Sequence, residues 1–452
     1  MSDGAPRLKR VLSRRDLVIY GLVILGPTAP YPVYGIVQKL SNGYAPLAYL
    51  VAMVAVLFTA ASYGKMAGAF PSAGSTYTYV RRSLNENAGF LAGWAMILDY
   101  LLIPLVSIIY AALTAHRLLP IVPYEAWAVL FSLALTLVNI PGIRVTARAG
   151  EIMMAIMVLC AVAFVALAVR FVVDAHGVGG LLNSSVIYSP QTFALRPLML
   201  GAGVAALSYI GFDAISTLAE DTVDPTRDIP IATIGVCILQ TAICFITVYM
   251  AALVWPHSQA FPDPDTAILD IGRKLGGTWM FLSLTIVLLV AGLASALTGQ
   301  AGASRLLYGM GRDRMLPSRI FAHLHPKYLT PTRGIYVMGA FTLLGSIFLR
   351  FEIAVELLNF GAFAGFILVN LSVIRHFFVR LRKRHGTQIF SYLLFPASGA
   401  LSCGYLWMSL SGKAKIAGFV WLFIGAIYLA VLTRGFRRIP TSTLSLEPEE
   451  LG

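Results

Sequence analysis

Two acidic residues lie inside long apolar stretches of this sequence, where a charge is costly. Asp99 stands in GWAMILDYLLIP and Asp213 in LSYIGFDAISTLAED. Ionisable side chains at membrane depth usually mark a transport pathway, a binding site or a proton relay. Either carboxyl group could bind a substrate ammonium or carry a coupling proton. The alternative is a structural hydrogen bond to a backbone amide; we favour function for Asp99 and leave both roles open for Asp213.

Helix-breaking residues interrupt two of the apolar stretches. In the first, LVIYGLVILGPTAPYPVYGIV, Gly26 is followed by three prolines ending at Pro32, and in the sixth Gly211 stands beside Asp213. Three prolines so close together end a regular helix. In hydrocarbon, a broken helix persists only where protein or a wet cavity covers its freed backbone groups. We predict two helix breaks that face a central cavity; a proline kink that only shapes packing is the alternative for the first.

The composition predicts one integral membrane domain. Of 452 residues, 58% are hydrophobic and 12% are charged, with a mean hydropathy of +0.77. A soluble domain carries about 25% charged residues. The net charge of +13 does not indicate nucleic-acid binding, because the basic residues cluster in short gaps between apolar stretches. Basic residues there set the orientation of a protein in the membrane.

Apolar windows of about 20 residues predict twelve membrane-spanning helices. The gap at 350–352 is the shortest, and one bent helix there would reduce the number to eleven. The predicted spans are 16–37, 45–69, 88–119, 124–141, 149–173, 195–219, 229–255, 276–310, 334–350, 352–380, 391–411 and 415–434.

Most of the 34 Lys and Arg residues fall on the side of the N-terminus. This bias predicts that both termini are cytoplasmic, and we expect the protein to lie in the plasma (inner) membrane. We expect a tail at 1–15, a single transporter domain at 16–434 and a second tail at 435–452. Acidic residues of the loop after the sixth span should pair with cytoplasmic arginines as a gate or brace. These residues are Glu220, Asp221, Asp224 and Asp228.

The sequence lacks the motifs of an ATP-driven transporter or a metalloenzyme. No Walker or GxGxxG stretch leads from a strand to a helix, and no histidine pair has metal-binding spacing inside a span. The four cysteines, which have neither disulfide nor zinc spacing, are interpreted as core residues. We therefore expect no enzyme activity, cofactor or metal, and transport of the secondary type.

Four segments, found in order, resemble the amino acid–polyamine–organocation superfamily, and within it the putrescine-importer branch. They are FPSAGSTYTY (70–79), GWAMILDYLLIP (93–104), GFDAISTLAEDTVDPTRDIP (211–230) and ASRLLYGMGRDRMLP (303–317). The resemblance implies an all-α, LeuT-like fold with a five-plus-five inverted repeat, and alternating access around broken helices one and six. The first repeat would cover about 16–173, the second about 195–380, and two extra helices 391–434.

The resemblance also implies a substrate site at the two breaks and at a carboxylate of the third helix. Its expected residues are Gly26, Pro27, Thr28, Ala29, Pro30, Tyr31, Asp99, Tyr209, Gly211 and Phe212. Asp99 and Asp213 are the proton-coupling candidates, and Ser295 is one possible sodium ligand. Because Ala294 beside it has no side-chain oxygen, coupling to protons is favoured over coupling to sodium.

Two departures from the family pattern bear on the substrate. The turn GPTAPYP has fewer free amides than the Gly/Ser-rich turn of many amino acid permeases, which favours an amine over an α-amino acid. Polyamine importers tend to carry an acid near this break, whereas this chain has Pro32, so a diamine stays open.

These observations predict a permease in the lipid bilayer that imports a small organic amine, polyamine or amino acid, with protons as the coupling ion. The alternatives are a substrate exchanger, a receptor that has lost transport, and a channel. The sequence makes no prediction of the oligomeric state.

Overall fold

The computed structural model describes residues 12–433 and 435, except for 71–74, 142–146, 220–221, 257–259, 313–315, 329 and 434. Nearly all of the two predicted tails therefore lies outside the described residues. The same holds for Glu220 and Asp221 of the loop after the sixth predicted span. The described part is helical apart from turns and one isolated parallel bridge between Leu12 and Thr222.

The helices follow the predicted spans closely. In chain order they are α1 (Arg14–Leu25), α2 (Tyr34–Leu40), α3 (Ala45–Ala69), α4 (Ser75–Ser83), α5 (Glu86–Leu118), α6 (Tyr124–Asn139), α7 (Ala147–His176), α8 (Leu195–Ala205), α9 (Pro225–Val254), α10 (Ala267–Arg312), α11 (Ser318–Phe321), α12 (Thr332–Phe348), α13 (Phe351–Val373), α14 (Thr387–Ile389), α15 (Phe395–Ser409) and α16 (Gly412–Leu432). A π-helical stretch, Ile374–Arg380, extends α13, and another, Phe390–Leu394, leads into α15.

Two of the predicted span boundaries fall at short interruptions of helical geometry. The predicted ninth and tenth spans are separate helices, because Leu349 and Arg350 between α12 and α13 both have extended backbone. The predicted start at 276 falls at a kink within α10, where Gly276 and Gly277 have non-helical backbone, so that a shorter helix from Ala267 precedes the predicted span. The charged residues of its first turns lower the local hydropathy, so a hydropathy window misses that part of the helix.

Most of these helices have the length and composition needed to cross a membrane. Among the described residues, nine helical segments are long and apolar enough to span a bilayer, and α6 and α12 are shorter apolar helices. A segment of about 20 apolar residues covers the hydrocarbon core. Large apolar side chains on α7 and α16, such as Leu159 and Val431, point outward, as expected of a surface in contact with lipid.

The C-terminal helices are attached to the rest by aromatic and polar contacts. Trp94 of α5 and Trp421 of α16 stack with centroids 4.8 Å apart, and each indole N–H donates to the backbone carbonyl of the other residue at 2.9 and 3.0 Å. Glu356 of α13 is buried, and its carboxylate accepts hydrogen bonds from the backbone and hydroxyl of Ser411, the N-cap of α16. These bonds fix α16 against α5 and α13.

Buried amides hold the central helices in register. Asn370 of α13 is fully buried and donates to the Thr59 hydroxyl of α3 at 2.9 Å, while its Oδ1 accepts from Ser62 at 2.6 Å. Because these polar atoms bond to one another, the network fixes α3 relative to α13, and its hydrogen bonds offset the cost of burying the polar groups. The two helices in turn carry aromatic side chains of the candidate site.

We predict that Asn370→Ala lowers the stability of the protein by about 1–3 kcal/mol, because Ser62 and Thr59 lose a buried partner. Thermal unfolding of the purified protein in detergent measures the change. Ser372→Ala is the matched control, since its buried hydroxyl bonds to the Leu368 carbonyl of its own helix. Equal melting temperatures for the two variants would contradict the assigned role of Asn370.

Candidate functional site at two helix breaks

The first predicted break is present in the structure. Helix α1 ends at Leu25, and Gly26 has φ 73° and ψ 129°, a conformation that L-residues rarely adopt. Residues 27–33 form successive turns, with the Ala29 amide donating to the Gly26 carbonyl at 3.1 Å and α2 beginning at Tyr34. Prolines supply no amide hydrogen, so carbonyl groups predominate in this segment.

The second predicted break lies after α8. The backbone passes through a 3₁₀ turn at Ala206–Tyr209, becomes extended at Ile210 and reaches φ 114° at Gly211 before a further 3₁₀ stretch, Phe212–Leu218. A Cβ on Gly211 would lie 2.7 Å from Cγ2 of Ile24. Gly211 therefore serves both the left-handed backbone and the close approach of α1.

The structure brings the two breaks into direct contact. The Ser208 hydroxyl donates to the Ala29 carbonyl at 3.2 Å, and the Tyr49 hydroxyl of α3 donates to the Pro30 carbonyl at 3.3 Å. The Gln240 side chain of α9 donates to the Gly26 carbonyl at 3.0 Å and lies 3.3 Å from the Ser208 carbonyl. Neighbouring helices thus satisfy the backbone groups that each break releases.

The other predicted residues of the first break are mostly enclosed by protein. The Thr28 hydroxyl is 3.3 Å from the Met157 sulfur of α7, and the Tyr31 ring packs 5.5 Å from Phe164. Tyr31 is buried, yet its hydroxyl has no hydrogen-bond partner among the described residues. Within the described residues, the Tyr31 hydroxyl therefore has unused hydrogen-bonding capacity beside the first break.

The aromatic residues of the second break are packing residues in this conformation. The Tyr209 hydroxyl donates to the Tyr49 carbonyl at 3.2 Å. Phe212 is fully buried, with its ring centroid 5.4 Å from Tyr63 and 5.1 Å from Phe366. This aromatic cluster packs the second break against α3 and α13.

Asp99 and Asp213 are both buried and lie close enough to interact electrostatically, with 4% and 6% of their surfaces exposed. Asp99 packs where α13 approaches α5, since a Cβ on Gly361 would lie 3.2 Å from its backbone nitrogen. Within the part of the chain that the structure describes, its Oδ1 has no hydrogen-bond partner. The Asp213 carboxyl group faces the backbone amides of Gly211 and of Asp213 itself, which is the structural arrangement considered for it above.

Ser295 lies elsewhere on α10. Its side chain is exposed, and its hydroxyl accepts a hydrogen bond from Ser107 of α5 at 3.2 Å. This contact does not join Ser295 to the break segments. An ion site at this position remains a prediction that rests on the family resemblance.

Sequence reasoning did not identify two buried amides, Gln240 of α9 and Asn359 of α13. Asn359 donates to the Gly203 carbonyl at 2.8 Å, at the end of α8 where the helix begins to loosen. The signal that could have found them is the one that singled out Asp99, namely a strongly polar side chain in the middle of an apolar span. The same reasoning applies to amides at membrane depth.

An ion pair joins the first helix to α9 on the side of the N-terminus. Arg14 donates to the Asp228 carboxylate at 2.7 Å, and the Val223 amide donates to the Leu12 carbonyl at 3.1 Å. The predicted pairing with an arginine is confirmed for Asp228. Asp224 instead accepts from the Arg227 amide as the N-cap of α9.

Comparison with known proteins identifies the class to which this arrangement belongs. A family model described as amino acid permease matches residues 24–433. The low-affinity putrescine importer PlaP of Escherichia coli (strain K12) is 35% identical over 95% of both chains. The branched-chain amino acid permease BcaP of Bacillus subtilis (strain 168) is 26% identical over 96% of this chain and 95% of its own. The vacuolar cationic amino acid transporter 4 of Arabidopsis thaliana is 28% identical over 82% of this chain and 64% of its own.

The fold is therefore that of a multi-pass helical membrane transporter, not an enzyme. The chain belongs to the amino acid permease family of the amino acid–polyamine–organocation superfamily.

We predict that Gly211→Ala destabilises the protein by more than about 1 kcal/mol, because alanine at this φ is strained and its methyl group would meet Ile24. The melting temperature in detergent measures the effect, and substrate uptake should fall with it. Gly235→Ala, in the interior of α9 with open space around its Cβ, is the control and should be neutral or stabilising. A variant Gly211→Ala with an unchanged melting temperature would show that the break does not require glycine.

Proposed function

We propose that this chain is a secondary transporter that imports a small organic amine or polyamine, or an amino acid with a cationic group, together with protons. The proposed substrate site is formed by the break segments 26–31 and 209–212 and by Asp99. Putrescine is the first compound to test, because a relative that is 35% identical is named a putrescine importer.

One observation supports a cationic substrate above the others. Among the residues whose side chains the structure describes, three carboxylic acids are buried, whereas no lysine or arginine is. These acids are Asp99, Asp213 and Glu356. Uncompensated carboxylates are costly in a low-dielectric interior. A positively charged substrate or a proton supplies the missing charge, whereas an organic anion would add to the repulsion.

Asp99 is the proposed coupling residue. Its free Oδ1 can accept an ammonium N–H or hold a proton, and binding of either changes its electrostatic interaction with Asp213. Asp213 already faces two backbone amides, which supports a mainly structural role at the break. Sodium coupling through Ser295 is the less favoured alternative, because the Ser295 side chain is exposed and bonds to the Ser107 hydroxyl, away from the break segments.

The proposed mechanism is alternating access in a five-plus-five inverted repeat, with repeats at about 16–173 and 195–380 and additional helices at 391–434. Broken helices of this kind would move relative to a fixed scaffold while the site between them opens to one side. The Arg14–Asp228 pair and the Phe212 cluster would close the cytoplasmic side. In this proposal, both termini lie in the cytoplasm and the protein in the inner membrane.

Uptake into proteoliposomes tests the function. Purified protein is reconstituted, and radiolabelled putrescine, longer polyamines, basic and branched-chain amino acids are offered with and without an inward proton gradient. Gradient-driven accumulation of an amine supports the proposal, and accumulation of an amino acid alone narrows it to the amino acid alternative. Exchange without gradient-driven accumulation would assign an antiporter, and no flux of any compound would overturn the proposal.

We predict that Asp99→Asn loses accumulation driven by a pH gradient, because an amide cannot take up and release the coupling proton. Exchange of internal for external substrate should persist if the fold is intact, so counterflow is measured beside net uptake. Glu356→Gln is the matched control, since it neutralises a buried carboxyl group that bonds to Ser411 away from the breaks. A pH-driven uptake of Asp99→Asn equal to that of the unmodified protein would assign Asp99 to structure.

A further inference from the structure

The side chain of Gln240 contacts a backbone carbonyl of each helix break. Its Nε2 lies 3.0 Å from the Gly26 carbonyl oxygen and 3.3 Å from that of Ser208. The side chain is fully buried, and within the described residues its Oε1 has no hydrogen-bond partner. A residue of α9 thus joins two segments that are separated by most of the first half of the chain.

The chemistry of the contact fixes the orientation of the amide. Both neighbours are carbonyl oxygens, which only accept hydrogen bonds, so the side-chain nitrogen and not the oxygen must face them. The two N–H groups of one primary amide match two acceptors. Exchange of the nitrogen and oxygen positions would place three oxygens against one another with no hydrogen between them.

A second buried amide has the same relation to the second break. Asn359 donates through Nδ2 to the Gly203 carbonyl at 2.8 Å and lies 3.4 Å from that of Val204, and its Oδ1 has no partner in the described part of the chain. Two intact helices, α9 and α13, therefore each donate from an amide to freed carbonyls. In both cases, the side-chain amide of an intact helix donates to backbone carbonyl groups at a helix break.

Two converging carbonyl oxygens in a dry interior need a positive partner, which can be a donor N–H or a bound cation. We propose that Gln240 is a positioning residue that clamps the two breaks together, with its NH₂ group in the place where a bound cation would serve the same purpose. The clamp keeps the Gly26 and Ser208 carbonyls at a fixed separation without an ion. This inference rests on the proposed function only in taking the clamped segments as the substrate site.

The clamp has a consequence for a nearly isosteric substitution. In Gln240→Glu, a carboxylate replaces the two N–H groups and faces the same two carbonyls, so three oxygen ligands surround the vacated place. Oxygen ligands of this kind bind hard cations such as Na⁺. A protonated carboxyl group would instead restore one of the two donor contacts. The variant should therefore depend on a cation or on acid where the unmodified protein does not.

The experiment compares the unmodified protein, Gln240→Glu and Gln300→Glu in sodium chloride and in potassium chloride of equal ionic strength, and again at lower pH. Gln300 is the matched control, because it is a buried amide of α10 that bonds to Thr136 and Asn139 away from the breaks. The melting temperature without substrate reports on the clamp by itself. The KM for substrate uptake reports on the position of the carbonyls.

We expect Gln240→Glu in potassium chloride to have a KM raised about tenfold or more, since two hydrogen bonds are lost and two buried carbonyls are left unsatisfied. Sodium or acid should raise its melting temperature and lower its KM by more than in Gln300→Glu or the unmodified protein. A Gln240→Glu protein with an unchanged KM, or one whose defect responds to neither sodium nor acid, overturns the proposal.

Gln240→Met decides the question if Gln240→Glu does not fold. Methionine keeps the volume of the side chain but has no donor, so its KM should rise with no response to sodium. An unchanged KM in Gln240→Met overturns the clamp. If the unmodified protein transports none of the compounds tested, the proposed function fails, whereas the sodium response of the melting temperature still tests Gln240.

Discussion

Backbone groups at membrane depth must be hydrogen-bonded within the protein, because hydrocarbon offers them no partner. In this chain the requirement is hardest to meet at Gly26 and Gly211, where two helices stop and carbonyl groups are freed. The structure meets it with side chains from three intact helices, the Tyr49 hydroxyl and the amides of Gln240 and Asn359, and with the Ser208 hydroxyl of the second break itself. Each break is thus held by the scaffold and by the other break.

The same requirement shapes the electrostatics of the site. Donor side chains bond to freed carbonyls, and among the described residues three acceptor atoms of these helices have no partner: Asp99 Oδ1, Gln240 Oε1 and Asn359 Oδ1. A buried region with an excess of acceptors and two carboxyl groups is suited to a ligand that carries N–H donors and positive charge. The proposed amine substrate has both properties, and the proposed coupling proton supplies the positive charge alone.

Packing places these groups within reach of one another. Asp99 lies on α5 where Gly361 allows α13 to approach, and α13 is fixed to α3 through Asn370. Tyr63 of α3 and Phe366 of α13 then hold Phe212 beside the second break. Helices that do not break therefore act as the frame, and the short unwound segments between them carry the groups that can bind.

The sequence by itself determined the helical membrane fold, nearly all span positions and both break positions, because these depend on hydropathy and on the local conformational limits of proline and glycine. It also singled out Asp99 and Asp213, since a charge in an apolar stretch is visible without a structure. Only the tertiary structure decided that Tyr209 and Phe212 pack against α3 and α13, that Ser295 is exposed on α10, and that Gln240 joins the two breaks. Those outcomes depend on which helix faces which, and neither hydropathy nor local propensity records the contacts between segments that are distant in the chain.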